Sequence, residues 1–547
     1  MDYGPATQES ADLSARAASS PQEAVAPSRR LGHRSRSRSR AAVSGSWLLA
    51  VILAVQALLS IRLVRADTAF QDEALYLWAG HLEWAHVLHG GQLPQFPAYF
   101  SGAPVIYPPL GALADSVGGL VAARLLSLVF MLGTTSVLWF TASRLFGRRA
   151  AFFSAALFAV LGPTLHLGAF ATYDAMSLFL LALATWFAVR AGDRQDATVW
   201  MVAAGVTLAL ANATSYPSTL FDPVVVLIAL AVAFPNPGGR LAAGRALTLA
   251  TITALLITIG LLIGGSLYIH GVDATTLTRV AGTDSPLIVL AHSFSWTGVI
   301  VVAAVCGAII GWVTKPRHPQ TWLLTILAAA ALLVPIEQAL LSTTASLNKH
   351  GDLGAWFAAI AAGYAVSKVI EAVPEGSTRT VTVAACVVAL SFPVTIGISQ
   401  SRNFSTDWPN SSAFVAILRA LADNGNGHLL VEDPSIAEYY LPSGSQWQRW
   451  SSTRNIVLPS GAPTGGPSAK AGIVGDGDAG TFGLYIQQGY FSIVALNFMD
   501  TTSLDQAIAA DLRKNHHYRR IEIVPYGLGT GGAASGKYLI WQYEPHS

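Results

Sequence analysis

The chain has 547 residues, of which 52% are hydrophobic and only 12% charged. Roughly a quarter of a soluble protein's residues are charged, so this composition excludes an ordinary soluble protein. The formal net charge of +2 says little about partners, and the two cysteines, Cys306 and Cys386, lie in apolar runs that offer no disulfide framework or zinc cluster.

Residues 1–46 are polar and rich in Ser, Ala and Arg, ending in the Arg34–Arg40 Arg/Ser repeat. Such a segment cannot bury enough apolar surface to fold, and a disordered basic tail is expected. Directly before a membrane span, the arginines read as holding the N-terminus in the cytoplasm against anionic membrane lipid, with no nucleic-acid partner.

Apolar runs of about 20 residues predict a polytopic α-helical membrane protein with about eleven spans. They fall near 47–64, 119–142, 149–168, 174–190, 198–213, 218–234, 246–268, 287–312, 321–341, 354–372 and 380–399. With the N-terminus inside, the cytoplasmic loops carry Arg144, Arg148 and Arg149, then Arg190 and Arg194, Arg240 and Arg245, Lys315 and Arg317, and Arg379. Outer loops hold few cations, notably Arg279 and Lys349, as the positive-inside rule requires. A transmembrane domain over 47–400 follows, with a long first outer loop over 65–118. In that loop the 81–89 piece, with His81, His86 and His89, has mixed polarity suited to an interfacial helix. The prolines from Pro94 to Pro109 are expected to break regular structure.

After residue 400 the composition changes. Short β-type runs at 427–432, 491–496 and 537–543 alternate with helical patterns such as 502–515, which predicts a small extracytoplasmic α/β domain over 401–547. Its Gly/Pro/Ser-rich 459–480 stretch reads as a long loop, and no catalytic motif stands out in it.

Chemistry gathers at the outer ends of the spans. Asp72 and Glu73 sit just beyond the first span, where helical phasing places Asp72 and Tyr76 on one face and Glu73 about 100° round. Acidic groups so close to hydrocarbon are costly and point to function. Asp174, in the short turn after the third span, either caps the next helix or faces a cavity shared with Asp72. His166, one or two turns earlier, either lines that cavity or packs. Lys349 and His350 stand before the tenth span, and Arg279 on the preceding outer loop. A cation kept on the outer side suggests an anionic ligand such as phosphate, or else snorkelling to lipid. Carboxylates at one end of a cavity and cations at the other suit transfer of a sugar from a lipid phosphate: a carboxylate takes the acceptor proton, and a phosphate leaving group needs charge stabilisation. A membrane transporter or flippase of lipid-linked sugars, and a non-catalytic scaffold, are the alternatives. Nothing forms a convincing metal-binding Asp-x-Asp motif, and metal dependence stays open.

The stretch Phe70-Gln71-Asp72-Glu73-Ala74-Leu75-Tyr76 resembles the Asp-Glu-x-x-Tyr element of the GT-C superfamily of polyprenyl-phosphate-sugar-dependent glycosyltransferases, in its protein O-mannosyltransferase and lipid A aminoarabinose transferase branch. Tyr107-Pro108-Pro109-Leu110 resembles the element closing that branch's first loop, and Tyr173-Asp174 sits where it carries a second acidic residue. The resemblance implies a GT-C-like fold, a polyprenyl-phosphate-linked sugar donor, Asp72 as the base or beside it, and Glu73 orienting the acceptor. It also implies an acceptor cavity with Tyr76, Tyr107 and His166, whereas Arg279, Lys349 and His350 correspond to the donor-phosphate site by location only. The tail lacks the β-trefoil look of eukaryotic members, so a bacterial plasma membrane and a cell-envelope glycan, lipid or protein acceptor are expected.

Overall fold

A computed structural model describes residues 33–98, 100–192, 196–234, 239–278, 281–404, 407–422, 427–454, 479–527 and 534–545. The chain forms two compact units, Met1–Trp47 and Leu48–Ser547. Helix α1 (His33–Val64) reaches back through the Arg/Ser repeat rather than starting at 47. A helix already nucleated in an apolar span extends at little cost per residue, which composition alone does not register.

Ten helices among the described residues are long and apolar enough to cross a membrane, so the protein is a multi-pass membrane protein. The expected 149–168 span is not among them, because it is broken into α4 (Arg148–Ala159) and α5 (Gly162–Leu167). The break falls at Gly162-Pro163, where proline can start a helix but not continue one. Helix α2 (Gln71–His89) follows the first span and carries the Asp-Glu pair in its first turn. Helix α3 (Tyr107–Phe146) begins twelve residues before the expected 119, since Pro108 and Pro109 sit in its first turn instead of breaking structure. It bends at Gly118-Gly119, where Gly119 adopts φ 66°.

The bundle continues through α6 (Tyr173–Ala191), α7 (Ala197–Thr214), α8 (Asp222–Ala233), α9 (Gly239–Val272) and α10 (Pro286–Thr314). It closes with α11 (Pro319–Ala330), α12 (Leu333–Leu340), α13 (Leu347–Ala372), α14 (Ser377–Ala389) and α15 (Ser391–Phe404). Helix α13 runs through the centre, with Trp356, Phe357 and Ala358 through Ala362 all buried. Helices α2 and α3 approach so closely that a Cβ on Gly80 would collide with the Pro108 carbonyl.

The C-terminal region is an α/β fold. Its sheet has the order β2-β1-β3-β5-β4, with β1 (His428–Val431) parallel to β2 (Trp450–Ser451) and β3 (Phe491–Leu496). Strand β5 (Ala534–Tyr543) runs antiparallel to both β3 and β4 (Tyr518–Gly527). Alternation decides the layers. Leu429 and Val431 face α16 (Ser412–Ala422) and α17 (Ser435–Tyr440), while Leu430 and Val494 face α18 (Ala479–Gln487) and α19 (Thr502–Lys514). The expected 459–480 loop falls largely outside the described residues.

This region is not a free-standing domain, since 401–547 lies inside the second compact unit. It is pinned to α2 and the turn before it. Tyr440 Oη accepts from the Ala69 N–H at 2.8 Å, the Trp408 indole donates to the Thr68 carbonyl at 2.9 Å, and the Trp78 indole donates to the Gly444 carbonyl at 3.0 Å. The Tyr439 hydroxyl donates to Asp115 at 2.7 Å.

Candidate active site

The two adjacent carboxylates of α2 have opposite fates. Glu73 is fully buried and clamped by Arg124 of α3, whose Nε and Nη2 donate to its two oxygens at 2.8 and 2.7 Å. The remaining Arg124 donors take the carbonyls of Val64, Ala66 and Thr68 at 3.1, 2.5 and 3.2 Å. Glu73 also accepts from the Ala171 and Phe70 N–H groups at 2.7 and 3.3 Å. A buried ion pair is tolerable only when its remaining donors and acceptors are satisfied, as they are here. Glu73 therefore ties the 64–70 turn to α3 and the α5–α6 turn, and does not face a cavity where it could orient an acceptor.

Asp72, one residue earlier, points the other way. Its Oδ2 accepts from Lys349 Nζ at 2.6 Å. Behind the ammonium lies Asp174, with Oδ2 at 4.0 Å from Lys349 and Oδ1 at 3.6 Å from His350 Nε2. Lys349 and His350 are not on a loop, because α13 begins at Leu347 and holds both in its first turn. Asp174 is buried in the first turn of α6, whose N-cap position falls on Thr172. It backs Lys349 rather than capping the helix.

Two cavities meet at the Asp72–Lys349 pair. The larger, of about 520 Å³, is bordered by Asp72, Tyr76, Tyr173, Lys349 and His350 on the bundle side. Asp433, Glu438, Trp447 and Trp450 border it on the C-terminal side. Tyr76 stacks near Tyr173, with ring centroids 4.5 Å apart. The smaller, of about 230 Å³, is bordered by Asp72, Lys349, Phe70, His166, Phe404 and Trp408. His166 thus does both things expected of it, packing against Phe170 and Phe404 with centroids 4.6 and 4.5 Å away while bordering this cavity. Tyr107 borders neither: it is fully buried at the start of α3, against Gly111. Arg279 lies outside the described residues.

Sequence reasoning passed over Arg124, although a lone arginine inside an apolar span is itself a signal. It also passed over Asp433, Glu438, Trp447 and Trp450, which no motif marks and which only the docking of the C-terminal region brings to the cavity. Among the described residues no group of three or more His, Cys, Asp or Glu could hold a metal ion. Asp72 and Asp174, with an ammonium between them, do not form a donor set for a divalent cation.

Residues 112–263 match the family model of dolichyl-phosphate-mannose-protein mannosyltransferases. Comparison with curated protein sequences gives no match. Among solved structures, the oligosaccharyltransferase of Archaeoglobus fulgidus in its apo form is similar with a TM-score of 0.56 at 12% identity, over 90% of this chain and 76% of that one. ArnT from Cupriavidus metallidurans bound to undecaprenyl phosphate is similar with a TM-score of 0.55 at 13% identity, over 91% of this chain and 98% of that one. The archaeal enzyme has also been solved with an inhibitory peptide and a dolichol-phosphate (TM-score 0.54, 12% identity, 90% of this chain and 75% of that one). Identities this low speak for the fold alone. The family match and the structural likenesses agree on a GT-C-like fold.

Proposed function

We propose that the chain is an integral-membrane glycosyltransferase that moves a sugar from a polyprenyl-phosphate donor to a hydroxyl of a cell-envelope acceptor, on the extracytoplasmic face of a bacterial plasma membrane. The observation that carries this reading is the Asp72–Lys349 pair at the junction of two cavities, in a chain with this fold. A scaffold leaves the carboxylate–ammonium–carboxylate chain unexplained, and a transporter is expected to carry such groups near the bilayer midplane rather than at helix ends.

Asp72 borders both cavities, and its carboxylate is held by Lys349 Nζ at 2.6 Å. A donor phosphodiester entering the smaller, aromatic-walled cavity offers Lys349 a second anion. As Lys349 turns to the phosphate, the Asp72 carboxylate is freed beside the anomeric carbon. An acceptor hydroxyl arriving through the larger cavity then gives its proton to Asp72 while its oxygen bonds to that carbon. The bond from carbon to the phosphate oxygen breaks, its electron pair leaves on the phosphate, and polyprenyl phosphate is released with Lys349 stabilising the charge. Asp174 backs Lys349 at 4.0 Å, and His350 Nε2 lies 3.6 Å from the other Asp174 oxygen.

Lys349→Met is expected to weaken donor binding roughly ten- to hundredfold, the loss of a charge-assisted hydrogen bond of about 1.5–3 kcal/mol. Lys349→Arg should keep part of the activity, since the charge persists in a different geometry. Titrating polyprenyl-phosphate sugar against both variants checks this. Unchanged affinity in Lys349→Met would remove the lysine from the phosphate site, and the same assay on Arg279→Met tests that residue.

The orientation has its own test. Ser503 is exposed on α19, and the native Cys306 and Cys386 can be replaced by Ala. In that background a Ser503→Cys variant should react with a membrane-impermeant maleimide in intact cells. Labelling only after permeabilisation would place the C-terminal region, and the reaction, on the cytoplasmic side.

A further inference from the structure

The larger cavity has one wall that the transfer step does not use. It is built from α17 and the 447–450 segment and faces Asp72 across the cavity. Glu438, on α17, is only 7% exposed and borders the cavity, and among the described residues no donor reaches its carboxylate. Asp433 beside it accepts from the Ser435 N–H at 3.0 Å through Oδ1, with the Ser435 hydroxyl also close.

A buried carboxylate without a donor is costly, and native structures rarely leave one so. Glu432, one strand end away, shows the contrast: the N–H groups of residues 497 to 501 all donate to it, at 2.5–3.3 Å. Glu432 is a structural clamp, whereas Glu438 is aimed at open space. Burial raises the proton affinity of Glu438 well above the ordinary carboxylate range, helped by Asp433, and pushes Asp433 up to about 6. Groups of that kind exchange hydrogen bonds with hydroxyls, as donor or acceptor, more readily than they hold a full cation.

The same wall is aromatic. Trp447 is half-buried and its indole N–H is tied to the Gln92 carbonyl at 3.2 Å, which fixes the ring. Across the cavity, Trp78 is fixed in the same way to Gly444. Flat apolar faces next to a few hydroxyl-reading carboxylates match a sugar ring, which has an apolar C–H face and a rim of hydroxyls. The volume of about 520 Å³ leaves room for more than one such ring.

Resting on the glycosyltransferase reading, we propose that this wall is the acceptor site for a carbohydrate chain, with Trp447 as its stacking face and Glu438 and Asp433 reading its hydroxyls. The acceptor hydroxyl then reaches Asp72 from a saccharide and not from a peptide side chain.

Saturation-transfer NMR and tryptophan fluorescence on the purified full-length protein test this. The probes are trisaccharides of mannose, arabinofuranose and N-acetylglucosamine, with a neutral Ser/Thr-containing hexapeptide alongside. At least one trisaccharide should bind saturably, and Trp447→Ala and Glu438→Ala should each weaken it by about tenfold or more. Glu438→Gln, which keeps the volume and a hydrogen-bonding head, should retain most of the binding. Melting temperatures of the three variants show whether a loss reflects the site or the fold.

Binding of the hexapeptide in place of every sugar would overturn the proposal, as would trisaccharide binding that is indifferent to Trp447 and Glu438 in folded variants. Failure of all three trisaccharides would also overturn it. Polyprenyl-phosphate binding on the same samples separates the two levels. If it persists while no sugar binds, the carbohydrate assignment falls and the glycosyltransferase reading stands. If it is absent as well, the glycosyltransferase reading falls too.

Discussion

Asp72→Asn is expected to leave the protein folded and able to bind donor while lowering turnover by a factor on the order of 10² to 10⁴, the usual worth of a positioned general base. The substitution keeps the shape of the side chain and an oxygen that can accept from Lys349 at the present 2.6 Å, but removes the proton affinity. Asp174 cannot take over, since it is buried behind Lys349 and does not border the larger cavity. Single-turnover transfer measured with bound donor reads the chemical step directly. Near-normal transfer in the variant would remove Asp72 from the base role.

The second large effect is expected at a residue that touches no substrate. Arg124→Met should destabilise the protein by about 3–5 kcal/mol, because it strands the Glu73 carboxylate without its charge partner. It also removes a donor from the carbonyls of Val64, Ala66 and Thr68, the last of which keeps only the Trp408 indole, so the 64–70 turn that aims Asp72 is held less firmly. Glu73→Gln should destabilise as well, since the Ala171 and Phe70 N–H groups meet different carboxylate oxygens, so the amide oxygen serves only one of them and the NH2 is turned on donors, Arg124 among them. Thermal unfolding in detergent separates the three proteins. If Arg124→Met melts like the parent, the clamp does not hold the turn. If it is destabilised yet its folded fraction transfers sugar at the parental rate, the clamp serves stability and not the aim of Asp72.

The membrane helices were legible because a hydrocarbon solvent imposes a plain rule, a sustained apolar run of spanning length. The strands of the C-terminal region were legible for a similar reason: β1, β3 and β5 are apolar runs wedged between helical layers, while the more exposed β4 escaped notice. Where polar residues sit in a helix that other helices bury, the rule fails. Helix α13 starts at Leu347, yet its first turn of Asn348, Lys349 and His350 reads as loop, because these groups face a polar site and not lipid. Pro108 and Pro109 read as breakers, although proline in a first turn is compatible with the helix it begins.

Within the site, the phasing of α2 separated Asp72 from Glu73 but could not say which of them met Arg124. That depended on a contact 51 residues away in sequence. The whole acceptor-side wall was hidden for the same reason. No local pattern announces that Tyr440 will meet Ala69 across 371 positions, or that Glu438 will then look towards Asp72.

The central claim is that this chain consumes a polyprenyl-phosphate sugar. Purified protein incubated with a panel of such lipids and a cell-envelope extract as acceptor, with the lipid products read by mass spectrometry, tests it most directly. At least one donor is expected to be converted to free polyprenyl phosphate by the parent protein, and far more slowly by Asp72→Asn. A folded parent protein that leaves every lipid-linked sugar intact, or an Asp72→Asn variant that consumes donor as fast as the parent, would contradict the account.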